Sequence, residues 1–192
     1  EPDLFGKMPP EQYFSLYQAS VAAAAACQNC NDFKIGGPAI TTLKKDWLEK
    51  FLSLAGQNNL RMDFVSWHSY QLNPNKTLWE AQTLKGLRNF QRYFSDKELI
   101  ISEWGSVPEV SPLHDSYFDA SHTVWAIDKL TNSVDKIFTF ELVDGPNPEG
   151  KKFWGRWGLL TNQSFGLTPK PRYFPYLFLG KLLNLEIKPQ EV

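Results

Sequence analysis

Glu103 is the carboxylate whose placement in the sequence most suggests chemistry. It follows the apolar run Leu99-Ile100-Ile101-Ser102, and a run this short is typical of a strand that is buried on both faces. Alternation along such a strand places Glu103 on the same face as Leu99 and Ile101, at the carboxyl end. In a (β/α) barrel that end carries the catalytic groups. A salt-bridged carboxylate at a strand end is the structural alternative.

A second predicted strand, over residues 62–70, ends in polar side chains. Period-two alternation places Phe64, Ser66, His68 and Tyr70 on one face, so His68 and Tyr70 emerge together near the end of the strand. A histidine in this position is often a hydrogen-bonded core residue. Its position beside Tyr70 at a carboxyl end favours a functional role.

Helical and extended patterns alternate along the chain and would position these residues. Helices are predicted from Pro10 to about residue 27, from Thr42 to Gly56, from a capping box at Thr77 to Tyr93, over 116–131 and after residue 172. Between them lie strands predicted at 33–38, 62–70, 99–103 and 135–142. Strict alternation predicts parallel strands with right-handed crossovers. A helix followed by four strand–helix units corresponds to half of an eight-fold barrel.

The composition excludes several classes of partner. The 192 residues carry a net charge of −1, so nothing basic indicates nucleic acid or a membrane surface. No apolar run is long enough to span a membrane. Cys27 and Cys30 are too few for a structural zinc site and are expected to be free thiols, and no metal or cofactor is predicted. Localisation is not predicted, since the chain opens without a signal peptide and its start need not be the natural one.

Six segments, taken together and in order, resemble the C-terminal half of a retaining glycoside hydrolase of clan A, closest to family 39, the group of β-xylosidases and α-L-iduronidases. They are Glu1-Pro2-Asp3, Tyr13-Phe14, Ile35-Gly36-Gly37-Pro38, His68-Ser69-Tyr70, Ser102-Glu103-Trp104-Gly105, and Gly158-Leu159-Leu160 with Lys170-Pro171-Arg172-Tyr173. The resemblance implies an α/β fold, the C-terminal half of a (β/α)8 TIM barrel. It implies strands 5–8 with their helices, starting at the end of strand 4, as one partial catalytic domain over residues 1–192.

The resemblance also implies a mechanism, retaining double-displacement hydrolysis of a glycosidic bond. Glu103 corresponds to the nucleophile and Glu1 to the general acid that later acts as the base. His68 and Tyr70 are then expected to donate hydrogen bonds to Glu103 and to contact the sugar. Retention is expected if the carboxyl groups lie about 5–5.5 Å apart. Two features depart from the clan pattern: no asparagine precedes Glu1, and Phe138 and Phe140 stand where the clan often has a tryptophan.

Five further residues are predicted to bind the sugar, namely Phe140, Glu141, Asp144, Trp154 and Trp157. The two tryptophans lie in the long segment 146–162 and are expected to wall the pocket, with loop packing as the alternative. The two carboxylates are expected to accept hydrogen bonds from hydroxyl groups. The expected partner is a carbohydrate substrate, with a missing N-terminal half-barrel or self-association covering the open sheet edges. The isolated chain is therefore expected to be inactive or nearly so.

Two other functions fit the same residues. A non-catalytic carbohydrate-binding protein would keep the pocket without turnover. A structural α/β domain would use Glu1 and Glu103 in ordinary ion pairs and would bind no sugar.

Overall fold

The chain forms two compact units in the computed structural model, which describes residues 1–27, 33–90 and 92–183. The first unit comprises Glu1–Tyr70, Asn75–Trp104 and Lys129–Thr139. The second unit comprises Gln71–Pro74, Gly105–Asp128 and Phe140–Val192. The helices and strands, in chain order, are α1 (Pro10–Ala26), β1 (Gly36–Ile40), α2 (Lys45–Gln57), β2 (Phe64–Tyr70), α3 (Pro74–Phe90), β3 (Glu98–Gly105), α4 (Tyr117–Leu130), β4 (Lys136–Thr139) and α5 (Tyr173–Leu183).

A four-stranded parallel sheet forms the centre of the first unit. The strand order is β1-β2-β3-β4, so each strand lies beside the next one in the chain. Gly36 pairs with Phe64 where β1 meets β2, and Ile101 pairs with Ile137 where β3 meets β4. The predicted α/β class with parallel strands is confirmed. The sheet brings the ends of β2 and β3 side by side, and these strands carry His68, Tyr70 and Glu103.

The sequence explains why these strands are buried and why helices cover them. In β3 the apolar residues Leu99 to Ile101 are all buried, as predicted for a strand covered on both faces, and in β2 the five consecutive residues Val65 to Ser69 are buried as well. Helices α1 and α2 pack through aromatic rings, with Tyr13 and Phe51 centroids 5.1 Å apart. A β-carbon at Gly37 would lie 2.7 Å from the Tyr13 hydroxyl oxygen, so glycine at this position allows α1 to approach β1 closely.

The start of α3 differs from the prediction. The sequence predicted a helix that begins at Thr77 with Glu80 as its capping partner, but α3 begins at Pro74 and both residues lie inside it. The Thr77 hydroxyl accepts a hydrogen bond from Ser69 Oγ at 3.1 Å, and Glu80 Oε2 accepts one from Trp67 Nε1 at 3.1 Å. The capping-box prediction is wrong because these polar groups join the helix to β2 instead of capping its first turn.

Two strand boundaries also differ from the prediction. Strand β1 covers Gly36–Ile40 instead of residues 33–38, and β4 covers Lys136–Thr139 instead of 135–142. The end of β4 is exposed, and 54% of the Phe138 surface is accessible. Strand β4 lies at an edge of the described sheet, where the chain turns into the second unit after Thr139.

The second unit contains most of α4, all of α5 and the long segment after Phe140. Leu160 connects this segment by isolated bridges to Val143 and to Pro169. Cys27, which lies in the first unit, is disulfide-bonded, so the expectation of a free thiol there is wrong; Cys30 lies outside the described residues. Among the described helices, none has the length and apolar character needed to cross a bilayer.

Candidate active site

Tyr70 and Glu103 meet at the neighbouring ends of β2 and β3. The Tyr70 hydroxyl donates a short hydrogen bond to Glu103 Oε1. Tyr70 and His68, which alternation placed on one face of β2, both contact Glu103. The carboxylate of Glu103 is therefore oriented by a donor from the adjacent strand.

The segment that precedes α1 brings Glu1 to the same place. Its anchor is Asp3, whose side chain is 2% exposed and whose Oδ2 lies 2.6 Å from Lys44 Nζ. Asp3 Oδ1 accepts hydrogen bonds from the backbone N–H of Thr41 at 3.0 Å and from its hydroxyl at 3.1 Å. Burial favours the protonated form of Asp3, but the hydrogen bonds from Lys44 and Thr41 outweigh it and lower its pKa. Asp3 thus ties the residues beside Glu1 to the end of β1.

His68 lies between the two glutamates. Its Nδ1 is 2.8 Å from Glu1 Oε1, a hydrogen-bond distance, and 3.5 Å from Glu103 Oε2. The expectation that His68 donates to Glu103 is therefore corrected, since its hydrogen-bond partner is Glu1. Nδ1 and one oxygen of each carboxyl group all lie within 4.8 Å of one another. Two carboxyl groups, an imidazole and a phenol thus form one cluster within the first unit.

The same three atoms have a spacing that could hold a metal ion. The 2.8 Å separation of His68 Nδ1 and Glu1 Oε1 also fits a direct hydrogen bond between them. Glu103 has its own donor in Tyr70. We interpret the cluster as hydrogen-bonded because these contacts account for His68 and both carboxyl groups without a further ligand.

The remaining predicted binding residues belong to the second unit, where Phe140 and Trp157 pack against each other. Their ring centroids are 5.7 Å apart in an edge-to-face arrangement. The indole N–H of Trp157 donates to the Val107 carbonyl at 3.3 Å, and its ring lies 5.8 Å from that of His114. These contacts correspond to the packing alternative for Trp157.

Arg156 contacts Trp154, Trp157 and Glu141, three of the residues predicted to bind the sugar. Its guanidinium lies 5.2 Å from the centroid of Trp154 and 4.5 Å from that of Trp157, both within cation–π range. Its Nη2 is 3.3 Å from Glu141 Oε1. Burial raises the pKa of Glu141, and the charge of Arg156 offsets only part of that effect. The sequence analysis did not single out Arg156, because it shows no spacing that distinguishes it from other loop cations.

The carboxylate of Asp144 is bound by other groups of the protein. Its carboxylate is fully buried and lies 3.1 Å from Lys170 Nζ, and its Oδ1 accepts a hydrogen bond from the Gly158 N–H at 2.7 Å. Burial raises the pKa of Asp144 although Lys170 acts in the opposite direction. Lys170 Nζ also lies 2.6 Å from Asp115 Oδ1 and donates to the Arg156 carbonyl at 2.7 Å. The hydrogen bonds expected between Asp144 and sugar hydroxyls are thus made with the protein.

A second cluster of buried polar side chains lies around Asp119 on α4. Arg172 Nε lies 3.6 Å from Asp119 Oδ2, and His114 Nδ1 lies 3.8 Å from the same oxygen. Burial opposes ionisation of Asp119, but the nearby His114 ring and the Arg172 charge outweigh it and lower its pKa. Burial lowers the pKa of His122, whose Nε2 lies 2.8 Å from the Gln71 carbonyl oxygen. The sequence analysis did not single out this cluster, because the contact that joins Arg172 to Asp119 links distant parts of the chain.

Comparison with known proteins identifies the family to which the chain belongs. The sequence profile of Glycosyl hydrolases family 39 matches residues 1–190. The β-xylosidase of Geobacillus stearothermophilus is 25% identical over 197 residues, which cover 90% of this chain and 37% of that protein. The chain therefore belongs to glycosyl hydrolase family 39, a family of glycosidases, as the sequence resemblance predicted.

Solved structures show the same fold. A monomeric β-xylosidase from Caulobacter crescentus CB15 superposes with a TM-score of 0.81 at 23% identity, covering 94% of this chain and 40% of that one. The family 39 enzyme from Xanthomonas axonopodis pv. citri gives a TM-score of 0.77 at 21% identity, covering 90% and 37%. The chain thus spans about two fifths of the length of the relatives it matches.

Proposed function

We propose that this chain carries both catalytic carboxylates of a retaining glycosidase, with Glu103 as the nucleophile and Glu1 as the acid/base. The observation that carries the proposal is the approach of the two carboxyl groups, whose nearest oxygens lie within 4.8 Å of each other. This upper limit on the oxygen–oxygen distance favours the carboxyl spacing of about 5–5.5 Å typical of retaining enzymes over the wider gap of about 6.5–9.5 Å that inverting enzymes need for water.

The proposed reaction has two steps. In the first, Glu103 attacks the anomeric carbon, the bond to the leaving-group oxygen breaks, and the proton of the Glu1 carboxyl group passes to that oxygen. In the second, Glu1 removes a proton from water, the water oxygen bonds to the anomeric carbon, and Glu103 leaves as a carboxylate. Tyr70 keeps one oxygen of Glu103 hydrogen-bonded, and His68 orients Glu1.

Two of the five second-unit residues remain suited to direct sugar contact. Glu141 and Trp154 are part-exposed and lie against Arg156. Phe140 and Trp157 support them by packing, and Asp144 supports them by holding Lys170. We propose a carbohydrate ligand for Glu141 and Trp154. An indole face can stack on the C–H surface of a sugar ring, and a carboxylate can accept hydrogen bonds from its hydroxyl groups.

The role assignment can be tested in a chimera. The segment of the Geobacillus stearothermophilus β-xylosidase that precedes the part matched by this chain is joined directly before Glu1, and hydrolysis of an aryl β-xyloside is measured. Glu103→Gln is expected to reduce turnover to background. Glu1→Gln is expected to reduce it by about 10²–10⁴-fold, the usual contribution of a general acid. Glu11→Gln, an exposed change on α1, serves as the matched control and should leave turnover unchanged.

Added azide separates the two roles by the configuration of the product. In Glu103→Gln azide takes the place of the nucleophile, so a single displacement gives the α-glycosyl azide. In Glu1→Gln azide takes the place of water and attacks the glycosyl-enzyme, which gives the β-glycosyl azide. The reverse assignment of products, or full activity of Glu103→Gln, contradicts the proposal. Sugar binding without hydrolysis in every form supports the non-catalytic carbohydrate-binding protein instead.

We also propose that the isolated chain has little or no turnover. Strands β1 and β4 are the edges of the described sheet, and Phe138 on β4 is largely exposed. Unpaired parallel edges are normally covered in a working enzyme. Strong turnover by this chain as a monomer contradicts this part of the proposal and leaves the role assignment intact.

A further inference from the structure

The second unit contains a cavity that none of the catalytic residues lines. Its volume is about 460 Å³, and it lies between residues 110–115 and residues 147–155. This volume falls within the range of about 300–1,000 Å³ that is usual for ligand sites. We call it the loop cavity. The lining residues with polar, charged or aromatic side chains are Asp115, Asn147, Glu149, Lys151, Phe153 and Trp154.

The walls of the loop cavity are tied together by the protein itself. The N–H of Gly155 donates to Asp115 Oδ2 at 2.6 Å, and the N–H of Ser111 donates to the Gly155 carbonyl at 2.9 Å. The other oxygen of Asp115 lies 2.6 Å from the buried Lys170 ammonium. Gly155 has a φ of 80°, and a β-carbon there would lie 2.6 Å from the Ser111 backbone. Glycine is therefore required for this approach.

The charged groups of the lining are paired within the protein. Glu149 and Lys151 form an ion pair at 2.5 Å, and Asp115 shares the Lys170 ammonium with the buried Asp144. The other Asp115 oxygen accepts from the Gly155 N–H, so both of its oxygens are engaged and no excess positive charge remains among these groups to attract an anion. A neutral ligand fits this balance best, and the Glu149 carboxylate retains lone pairs that can accept hydrogen bonds.

Aromatic and amide groups complete the lining. Phe153 is 48% exposed. Trp154 lines the cavity, and the Arg156 guanidinium 5.2 Å from the centroid of its ring does not. The Asn147 side-chain oxygen accepts a hydrogen bond from the Glu149 N–H, and its Nδ2 donates to the Lys151 carbonyl. These bonds fix the segment that carries Glu149 and Lys151. Apolar ring surface beside fixed acceptors suits a ligand with C–H faces and hydroxyl groups.

We propose that the loop cavity binds a neutral saccharide unit, with its C–H face against Trp154 and Phe153 and its hydroxyl groups toward Glu149. The inference rests on the proposed function for the ligand class, carbohydrate. It assigns Trp154, for which a direct sugar contact is proposed above, to a binding site that is built entirely from the second unit. Saccharide binding there requires neither Glu1 nor Glu103.

Titration calorimetry of this chain with xylotriose tests the inference. Trp154→Ala is expected to weaken binding at least tenfold, and Glu149→Gln, at a side chain that is 68% exposed, is expected to weaken it several-fold without a risk to folding. Trp79→Ala is the matched control, because that indole is 62% exposed on α3 and should leave the dissociation constant unchanged. The backbone amide of Gly155 should shift in NMR spectra as xylotriose is added.

Each result separates this inference from the proposed hydrolysis. An unchanged dissociation constant in both Trp154→Ala and Glu149→Gln, or no measurable binding of xylotriose, overturns the saccharide site. If hydrolysis by the chimera depends on Glu103 while both cavity variants bind normally, only the inference fails. If the cavity variants lose binding while no form hydrolyses a glycoside, the proposed function fails and the saccharide site stands.

Discussion

At the scale of single residues, the candidate site consists of two hydrogen bonds that bring together three separate parts of the sequence. Tyr70 donates to Glu103 across neighbouring strands, and His68 joins Glu1 to the same cluster. Each carboxyl group thus has a different partner, a phenol for Glu103 and an imidazole for Glu1. Different partners are one means by which a protein gives two nearby carboxyl groups different tasks.

The Tyr70 hydroxyl should contribute directly to the rate. Tyr70→Phe removes a hydrogen bond to a charged group, which is worth about 1.5–3 kcal/mol. We expect kcat/KM of the chimera to fall by about 10–150-fold, since each 1.36 kcal/mol is a factor of ten. The control is Tyr17→Phe, which removes a 2.8 Å hydrogen bond to the Arg61 carbonyl elsewhere in the unit. Equal activity of Tyr70→Phe and the parent contradicts the assignment of Tyr70.

Asp3 should stabilise the first unit in a pH-dependent manner. Its pKa is lowered from 3.8, so its contribution is present above that value and is lost as the pH falls through the lowered pKa. Asp3→Asn should destabilise the chain by about 1.5–3 kcal/mol at neutral pH, the usual worth of hydrogen bonds to a charged group. Urea unfolding from neutral pH to about pH 3 should show this difference shrinking. A difference that is constant across this range is inconsistent with the ion pair to Lys44.

At the scale of elements, Lys170 holds together the long segment after Phe140. Its ammonium contacts Asp144, Asp115 and the Arg156 carbonyl, three points that are distant in sequence. The two tryptophans of this segment are ordered by Arg156, which lies against both rings. The order of the segment therefore depends on two cations more than on regular secondary structure.

Removal of the Lys170 charge should be costly. Lys170→Met keeps most of the volume but leaves two carboxylates without their partner, and breaking a buried pair typically costs about 3–5 kcal/mol. Chemical unfolding should report this loss. Lys45→Met is the matched control, because Lys45 is 54% exposed and its pair with Glu49 on α2 is worth about 0.3–0.5 kcal/mol. Similar small effects for both variants contradict a stabilising role for Lys170.

Some element boundaries could not be predicted from local sequence. Thr77 and Glu80 have the spacing of a capping box, yet their side chains bond to Ser69 and Trp67 inside the fold. A hydroxyl or carboxylate can satisfy either a helix end or a neighbouring strand, and only the packed partner decides between them. The order and type of the elements were correct because hydrophobic periodicity extends over many residues.

At the scale of the whole molecule, the chain spans about two fifths of the length of its relatives, 37% of one β-xylosidase and 40% of another. Its described parallel sheet has β1 and β4 as edges. Parallel strands usually have both faces and both edges covered. The working enzyme is therefore expected to pair these edges with further polypeptide, either from a longer chain or from a second copy.

Association of the isolated chain tests this expectation. Light scattering after size-exclusion chromatography should give a mass above the 22.0 kDa of one chain, and the chimera should run as a single chain of its own mass. A charged substitution on the exposed face of β4, Phe138→Lys, should reduce the association, since charges on edge strands oppose pairing. A stable monomer at all concentrations contradicts the open-edge interpretation.

The sequence by itself determined the class of the fold, the family and the strands that carry Glu103, His68 and Tyr70, because alternation and apolar runs are local properties. Only the tertiary structure decided that His68 bonds to Glu1, that Asp144 belongs to Lys170, and that Asp3 anchors the first residues. These contacts join positions tens of residues apart, and several neighbouring polar groups compete for each of them. Which partner wins depends on burial and distance, and neither is written in the spacing of the residues.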